Sequence, residues 1–351
     1  MRTLARRPGR IPNGDVQMSG IVELLLKSTE PSVRYKTRLL LRLDDPNSDG
    51  MAKLQKEIVS SPRVKLLLSE RARNGKIPIH PYSKWDGAHW VLAALADVVY
   101  PAGDRSLLPL RSQVYEWLLT KEHEKYTRAR PYSHHPPKSL LDAINKRPRI
   151  HGSMEGNVIW YLLTLGLFDE RGEELADRLV RLQWPDGGWN CDGDPRALKS
   201  SFMETLLPLR ALTLHAKVTR NQTSRRASER ASEVFLKRQL FKRVKNGSVI
   251  DRTFVKLHYP CYWHYDLLFG LKVMVETGHI KDPRCNDALD LLESKRLPDG
   301  GYPAEAKYYR VTKSRGGRSL VGWGSVNPKS LNEFVTVDAL WVLKEAGRLN
   351  P

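Results

Sequence analysis

The sequence predicts an all-α protein, an α/α toroid in which helical hairpins form a closed barrel with an inner and an outer ring of helices. Apolar residues recur at helical spacing along most of the 351 residues, and convincing strand alternation is absent. The helices alternate between a charged set and an apolar set. The same turn, Pro-Asp-Gly-Gly followed by an aromatic residue, occurs at Pro185–Trp189 and again at Pro298–Tyr302. A repeated unit of helix, turn and helix indicates a repeat architecture.

The repeated turn has a clear chemical logic. Proline fixes φ, aspartate can hydrogen-bond to the backbone that follows it, and the two glycines allow left-handed angles. Trp184 and Trp189 are expected to pack on the first turn as structural residues. Each turn follows a charged helix and leads into an apolar one, so the turns return the chain from the outer ring to the inner ring.

Thirteen helices are predicted in chain order from apolar spacing and from stop signals. Gly166, Gly278 and Gly347 each end a helix, and Pro208 should kink or interrupt the helix that contains it. The predicted helices are 20–27, 31–43, 51–59, 62–73, 87–99, 107–120, 153–167, 172–183, 200–215, 226–244, 263–277, 283–295 and 331–346.

The remaining segments divide the chain into a tail, a single domain and two long loops. Residues 1–19 are predicted to be a basic flexible tail, and residues 20–351 one toroid domain with N-terminal helices in 20–80. The repeats are clearest over 152–347. Segments 121–148 and 302–329 are predicted to be extended loops.

The candidate site lies where the apolar helices begin. In a toroid these inner helices would all enter from the same end, so their first turns would meet at one mouth of a central cavity. Acids occur at four of these first turns, with His89, His151, His264 and Tyr265 as candidate acid–base partners. The four acids are Glu155, Glu204, Asp266 and Glu333. The alternative is that they are helix N-terminal acids favoured by the helix dipole.

The residues from Gln183 to Trp189 resemble the QW repeat of squalene-hopene and oxidosqualene cyclases. The alternation of inner and outer helices is similar to that of protein prenyltransferase β subunits. Trp263-His264-Tyr265-Asp266 resembles a segment of uncharacterised bacterial squalene-cyclase-like proteins. The resemblance covers about residues 152–347 and implies a toroid with a central cavity for an apolar or isoprenoid-like ligand.

The same resemblance implies two kinds of chemistry, and the residues match each of them in part. The cyclases protonate their substrate with an Asp-x-Asp-Asp motif, and here Asp192 and Asp194 are followed by Pro195 rather than by a third acid. The alternative for this pair is a turn or helix-capping role. Prenyltransferases bind zinc through Asp, Cys and His. Cys261 and His264 fit in part, but a tyrosine stands where the aspartate is expected, so no metal and no cofactor is predicted.

Ligand contacts are predicted for aromatic and polar residues at the starts of the inner helices. In a terpenoid enzyme these side chains would line the cavity, and the alternative for the aromatic residues is core packing. The predicted ligand-binding residues are Trp85, His89, Trp90, Asn157, Trp263, Tyr265 and Glu333. The predicted catalytic residues are Glu155, Asp192, Asp194, Glu204, His264 and Asp266.

Three functions are therefore consistent with the sequence. The first is a terpenoid cyclase- or prenyltransferase-like protein with a cavity for an apolar or isoprenoid-like ligand and incomplete catalytic motifs. The second is a non-catalytic binding or scaffold protein with the same fold. The third is a carbohydrate-active enzyme that uses a carboxylate pair. Whether the chain is an enzyme is left open.

The net charge of +19 raises the question of anionic binding partners. The basic segment 220–252 carries an apolar stripe, which could make a weak contact with an anionic membrane surface, and the alternative is a solvated helix face. No nucleic-acid-binding motif occurs, so no nucleic-acid partner is predicted. Three cysteines and the lack of a membrane-spanning apolar run predict a cytoplasmic protein.

Overall fold

A computed structural model describes residues 13–121, 123, 147–194 and 196–349. This part of the chain is all-α, as predicted, apart from two short strands. Its thirteen helices are α1 Asn13–Leu26, α2 Pro31–Leu40, α3 Asp49–Ser60, α4 Pro62–Leu67, α5 Ala88–Asp97, α6 Leu108–Leu118, α7 Gly152–Thr164, α8 Glu170–Arg181, α9 Phe202–Thr219, α10 Gln222–Leu236, α11 Leu267–Glu276, α12 Asn286–Glu293 and α13 Glu333–Glu345.

Each of these helices overlaps a predicted one, and the differences are at the ends. Helix α1 begins at Asn13, so the last part of the predicted tail is helical, and residues 1–12 lie outside the described residues. Helix α11 begins only after Asp266, because that carboxylate accepts from the Phe269 N–H at 2.8 Å and caps the helix. Helix α9 continues through Pro208 without interruption.

The two strands lie in the segment that was predicted to be a loop. Strand β1, Arg310–Val311, pairs in parallel with β2, Arg318–Ser319. No helix forms between residues 302 and 329. Most of the other predicted loop, residues 121–148, lies outside the described residues.

Six helices pack side by side in one series in the described part of the chain, and we refer to them as the central helices. The contacts run in the order α2, α13, α11, α9, α7 and α5, and helices α3 and α4 connect α2 to α5. The charged helices α8, α10 and α12 pack against α7, α9 and α11 respectively. Five of the six central helices belong to the apolar set predicted from the sequence, namely α5, α7, α9, α11 and α13. The sixth, α2, was not among them because its composition is polar.

The two Pro-Asp-Gly-Gly turns have the same backbone geometry. The Trp184 N–H donates to the Gly188 carbonyl at 2.8 Å, and the equivalent Leu297 N–H donates to the Gly301 carbonyl at 2.9 Å. These bonds close the turn at the same position in each unit. The sequence repeat is therefore also a structural repeat.

The aromatic residue that ends each turn connects it to the next central helix. The Trp189 N–H donates to Thr205 Oγ1 at 3.1 Å, and the Tyr302 N–H donates to Thr336 Oγ1 at 2.9 Å. Both aromatic side chains are fully buried. In both units, a threonine in the first turn of the next central helix therefore anchors the backbone at the end of the turn. The turns thus have a structural role.

Candidate functional site

The predicted acids at the helix starts do not form one shared site. Glu155 is buried and pairs with Arg178 of the charged helix α8 at 2.8 Å. Burial raises the pKa of Glu155, and the Arg178 guanidinium opposes the shift. Glu333 lies elsewhere and accepts from Ser28 Oγ at 2.9 Å. These two acids connect elements of the fold to one another.

Glu204 lies in the first turn of α9, and its carboxylate contacts residues at the start of α7. It accepts from the Ser153 N–H at 2.9 Å, and its Oε1 lies 3.4 Å from His151 Nδ1. Burial acts to raise the pKa of Glu204, but the contacts with His151 and Ser153 outweigh it and lower the pKa. The carboxylate therefore stays ionised at neutral pH.

Asp266 is buried and satisfies several donors at once. Besides capping α11, it accepts from the His258 N–H at 2.7 Å, and Cys261 Sγ lies 3.4 Å away. His264 is not in this group, because its ring stacks on Tyr308 with a centroid distance of 3.5 Å and its Nδ1 lies 3.1 Å from the Cys261 carbonyl. Cys261 and His264 therefore do not present their side chains to a common metal ion.

Asp192 and Asp194 lie in a loop in which each aspartate side chain accepts a hydrogen bond from the backbone N–H two residues later. The Asp194 N–H donates to Asp192 Oδ1 at 2.9 Å, and Asp194 pairs with Arg196 at 2.7 Å. The hydrogen bond from Arg196 lowers the pKa of Asp194 to about 2. A carboxylate that is so readily ionised is unsuited to protonating an alkene at neutral pH.

The predicted aromatic ligand contacts are mostly packed against protein. Trp85 stacks on Tyr262 with a centroid distance of 3.9 Å, and it meets Trp90 edge to face at 4.7 Å. Trp263 stacks on the His264 ring at 4.0 Å. Tyr265 is fully buried and donates to the Leu240 carbonyl at 2.6 Å. These rings stabilise the loops that cover the starts of the central helices.

His89 is fully buried between aromatic rings. Its Nε2 lies 3.3 Å from Asn157 Nδ2, and its Nδ1 lies 3.4 Å from the Tyr161 hydroxyl. Burial lowers the pKa of His89 to about 3. The ring is therefore neutral in the folded protein at neutral pH.

We expect His89 to make the protein acid-sensitive. Between about pH 6.5 and pH 3 the unfolded chain protonates this ring and the folded chain does not, so stability falls as the pH drops, by up to ~1.4 kcal/mol per pH unit. Above that window the ring is neutral in both states and contributes nothing. Urea unfolding of His89→Gln from pH 7 to pH 4 should give a flatter dependence than the parent, whereas exposed His80→Gln should not. Equal slopes for the parent and His89→Gln would rule out this role.

Two adjoining cavities lie between the central helices and share lining residues. A small cavity of about 70 Å³ lies on the side where the helices begin and is covered by residues 258–262. A large cavity of about 480 Å³ lies on the side where they end. Of the predicted site residues, Asn157 and Asp266 line the small cavity, and none lines the large one. The large cavity therefore lies at the opposite end of the central helices from the mouth that the sequence predicts.

Six polar side chains meet where the two cavities join, and we refer to them as the central charge cluster. Five of the six come from the middle or the end of a central helix, and the sixth, Tyr259, from the covering loop. Apart from half-buried Asp97 they are buried. The members are Lys36, Asp97, Arg210, Tyr259, Lys272 and Asp338.

Asp338 bridges two lysines within this cluster. Lys36 Nζ lies 2.9 Å from its Oδ1, and Lys272 Nζ lies 2.5 Å from its Oδ2. Burial acts to lower the pKa of Lys272, but Asp338 and Asp97 outweigh it and raise the pKa. The ammonium group therefore keeps its charge in the interior.

Asp97 and Arg210 complete the cluster. The Tyr259 hydroxyl donates to Asp97. Burial acts to raise the pKa of Asp97, but Lys36, Lys272 and the Tyr259 hydrogen bond outweigh it and lower the pKa to about 2. Arg210 makes a two-point ion pair with Glu276, with its Nη2 at 2.7 Å, and its guanidinium lies 3.7 Å from the centre of the Trp160 ring.

The wall of the large cavity combines these charges with apolar surface. Its basic residues outnumber its acidic ones by one, with Lys36, Arg42, Arg210, Lys217 and Lys272 against Asp97, Glu276, Asp338 and Glu345. Its apolar wall is made of Leu39, Val99, Trp160, Leu214, Val275 and Trp341, among others. The arrangement suits a molecule with one polar and one apolar end.

The basic segment 220–252 places its apolar stripe inside the protein. Phe235, Leu236, Leu240 and Phe241 are buried, and only Val244 of the stripe is exposed, at 72%. Any contact with an anionic membrane would thus rest on the basic side chains. In the described part of the chain, none of the helices has the length and apolar character needed to cross a membrane.

Comparison with known proteins adds little to this geometry. No family model matches the chain, and the comparison with curated proteins found no match. Among solved structures, the chain is similar to a protein from Actinoplanes, with a TM-score of 0.44 and 15% identity over 95% of this chain and 99% of that one. A similarity of this size leaves the function to be argued from the residues themselves.

Proposed function

We propose that this chain is an α/α toroid that binds an amphiphilic small molecule in its central cavity, of which an isoprenoid alcohol or diphosphate is an example. The observation that carries the proposal is the cavity of about 480 Å³ that ends at the central charge cluster. Cavities of roughly 300–1,000 Å³ are typical of small-molecule sites.

The toroid architecture is supported by the order of helix contacts. The six central helices follow one another from α2 through α13, α11, α9 and α7 to α5, and each charged helix packs against one of them. Helices at both ends of this series, α2 and α5, contribute to the wall of the large cavity. A ring of paired helices accounts for both observations.

The chemistry of the wall supports an amphiphile. Lysine and arginine side chains only donate hydrogen bonds, so Lys36, Arg210 and Lys272 favour acceptor oxygens on the ligand, such as those of an alcohol, carboxylate or phosphate. Leu214, Val275 and the other apolar residues favour a hydrocarbon body. The resemblance to terpenoid enzymes makes an isoprenoid the first ligand to test.

The positions of the acids favour binding over the two catalytic alternatives. Asp192 and Asp194 lie in a surface loop and line neither cavity, which is unfavourable for cyclisation. A glycosidase needs a carboxylic acid that is protonated near neutral pH. The pKa of Asp97 is lowered to about 2, so this cavity acid does not suit that role. Asp338 is engaged by two lysines.

The binding test uses calorimetry with farnesyl diphosphate, farnesol, squalene and inorganic diphosphate. Leu214→Trp should fill part of the large cavity and raise the Kd for farnesyl diphosphate or farnesol at least about tenfold, a loss of ~1.4 kcal/mol. Val218→Trp is the matched control, because Val218 lies one turn further along α9 and is 60% exposed.

The outcomes separate the parts of the proposal. Binding of farnesyl diphosphate but not of farnesol assigns the polar end to a phosphate, and product formation from squalene would restore the cyclase hypothesis. Binding of inorganic diphosphate alone, or equal effects of the two tryptophan variants, would contradict a cavity site. Failure of all four ligands to bind would remove the isoprenoid assignment.

A further inference from the structure

Three residues of metal-binding types meet beside the first Pro-Asp-Gly-Gly turn, outside both cavities. Among the described residues, the ligand atoms of His151, Cys191 and Glu204 lie within 4.8 Å of one another. His151 immediately precedes α7, Glu204 is in the first turn of α9, and Cys191 follows the turn itself. Glu204 is buried, whereas His151 and Cys191 are half-buried.

The spacing between His151 and Glu204 suits coordination better than a direct hydrogen bond. His151 Nδ1 and Glu204 Oε1 are 3.4 Å apart. A good hydrogen bond between nitrogen and oxygen spans about 2.7–3.2 Å. Two nitrogen or oxygen ligands at about 2.0–2.1 Å from a tetrahedral zinc ion are themselves about 3.3–3.4 Å apart. The observed separation matches that of two ligands of one ion.

The backbone around the three residues holds them in place. The Ile150 N–H donates to the Asn190 carbonyl at 3.1 Å, which ties the residue before His151 to the residue before Cys191. The Ser153 N–H occupies Glu204 Oε2, so the other carboxylate oxygen faces His151. Such an outer hydrogen bond is the feature that orients carboxylate ligands in metal sites.

We propose that His151, Cys191 and Glu204 bind a zinc ion through Nδ1, Sγ and Oε1. One sulfur, one nitrogen and one oxygen ligand suit a borderline-soft divalent ion such as Zn²⁺, with Co²⁺ as its spectroscopic substitute. The thiol proton leaves to solvent when the Sγ–metal bond forms. Three protein ligands on a partly exposed face leave the fourth position to water, which is the arrangement of catalytic zinc.

The site is tested on the purified full-length chain after treatment with a chelator. We expect one equivalent of Zn²⁺ to bind in competition with a chromophoric chelator, and Co²⁺ to produce a thiolate-to-cobalt charge-transfer absorption. Cys191→Ser should abolish that absorption. Glu204→Gln, which retains an acceptor for the Ser153 N–H, should weaken Zn²⁺ binding at least about tenfold, since even changes outside the ligand set cost about 10–100-fold.

Cys261→Ser is the matched control, because Cys261 is also half-buried and lies beside a carboxylate, that of Asp266. It should retain both the zinc affinity and the cobalt absorption. Circular dichroism of each variant confirms that it is folded. The site is overturned if Co²⁺ gives no thiolate absorption, if that absorption persists in Cys191→Ser, or if Cys261→Ser is the variant that loses it.

Discussion

Replacing Asp338 with asparagine is expected to lower the free energy of unfolding by about 3–5 kcal/mol. The Asp338 carboxylate is 3% exposed and pairs with Lys36 and Lys272, which are themselves buried. Without it, the two buried ammonium groups keep only Asp97 as a counter-charge within the cluster. Urea unfolding monitored by circular dichroism measures the loss, which is a large part of the ~5–15 kcal/mol stability of an ordinary protein.

Two further variants distinguish an ion-pair effect from general damage. Adding Lys272→Met to Asp338→Asn removes one of the uncompensated charges, so part of the lost stability should return. Glu229→Gln breaks the exposed pair with Arg225 on α10 and should cost less than about 0.5 kcal/mol. A loss below about 1 kcal/mol for Asp338→Asn would mean that water already screens the cluster.

Replacing Gly156 with alanine is expected to destabilise the protein by about 1–3 kcal/mol or more, because it would force α7 and α9 apart. A β-carbon at this position would lie 2.4 Å from the Pro208 nitrogen and 2.6 Å from the Leu207 carbonyl carbon. These are backbone and ring atoms that cannot move aside singly. The effect opposes the gain of up to about 1 kcal/mol that alanine normally gives within a helix. Thermal or urea unfolding measures it.

Gly20→Ala provides the comparison, because Gly20 is also within a helix and a β-carbon there would meet nothing within 4 Å. That variant should be neutral or stabilised by up to about 1 kcal/mol. If both alanine variants behave alike, the close approach of α7 and α9 does not limit stability.

The fold class follows from local sequence patterns, and these are clear enough to predict the helices. Apolar spacing and glycine stops predict the helices, and Gly166, Gly278 and Gly347 all adopt the positive φ that the stop requires, at 64°, 79° and 73°. The turn glycines Gly187 and Gly300 also have positive φ, at 101° and 86°. These features depend on residues close together in the chain, so the sequence alone identifies them.

The central charge cluster also has a sequence signal, but a less obvious one. Arg210, Lys272 and Asp338 each interrupt an apolar stretch in the middle of a helix, where an ionised residue is rare unless it is paired. Asp97 is the single acidic residue of apolar α5. Lys36 gives no such signal, because α2 is already polar. The prediction looked for acids at helix starts, where a capping or pairing role explains most of them, as for Asp266 and Glu155.

By itself the sequence determined the all-α class, the order of the helices and the two equivalent turns, because each depends on interactions between near neighbours. Tertiary structure decided which charges share a space. Lys36 and Asp338 are about 300 residues apart in the chain and 2.9 Å apart in the fold. It also decided that the large cavity lies where the central helices end, and that His151, Cys191 and Glu204 meet beside a turn. Such contacts depend on how helices pack, and no local pattern encodes that packing.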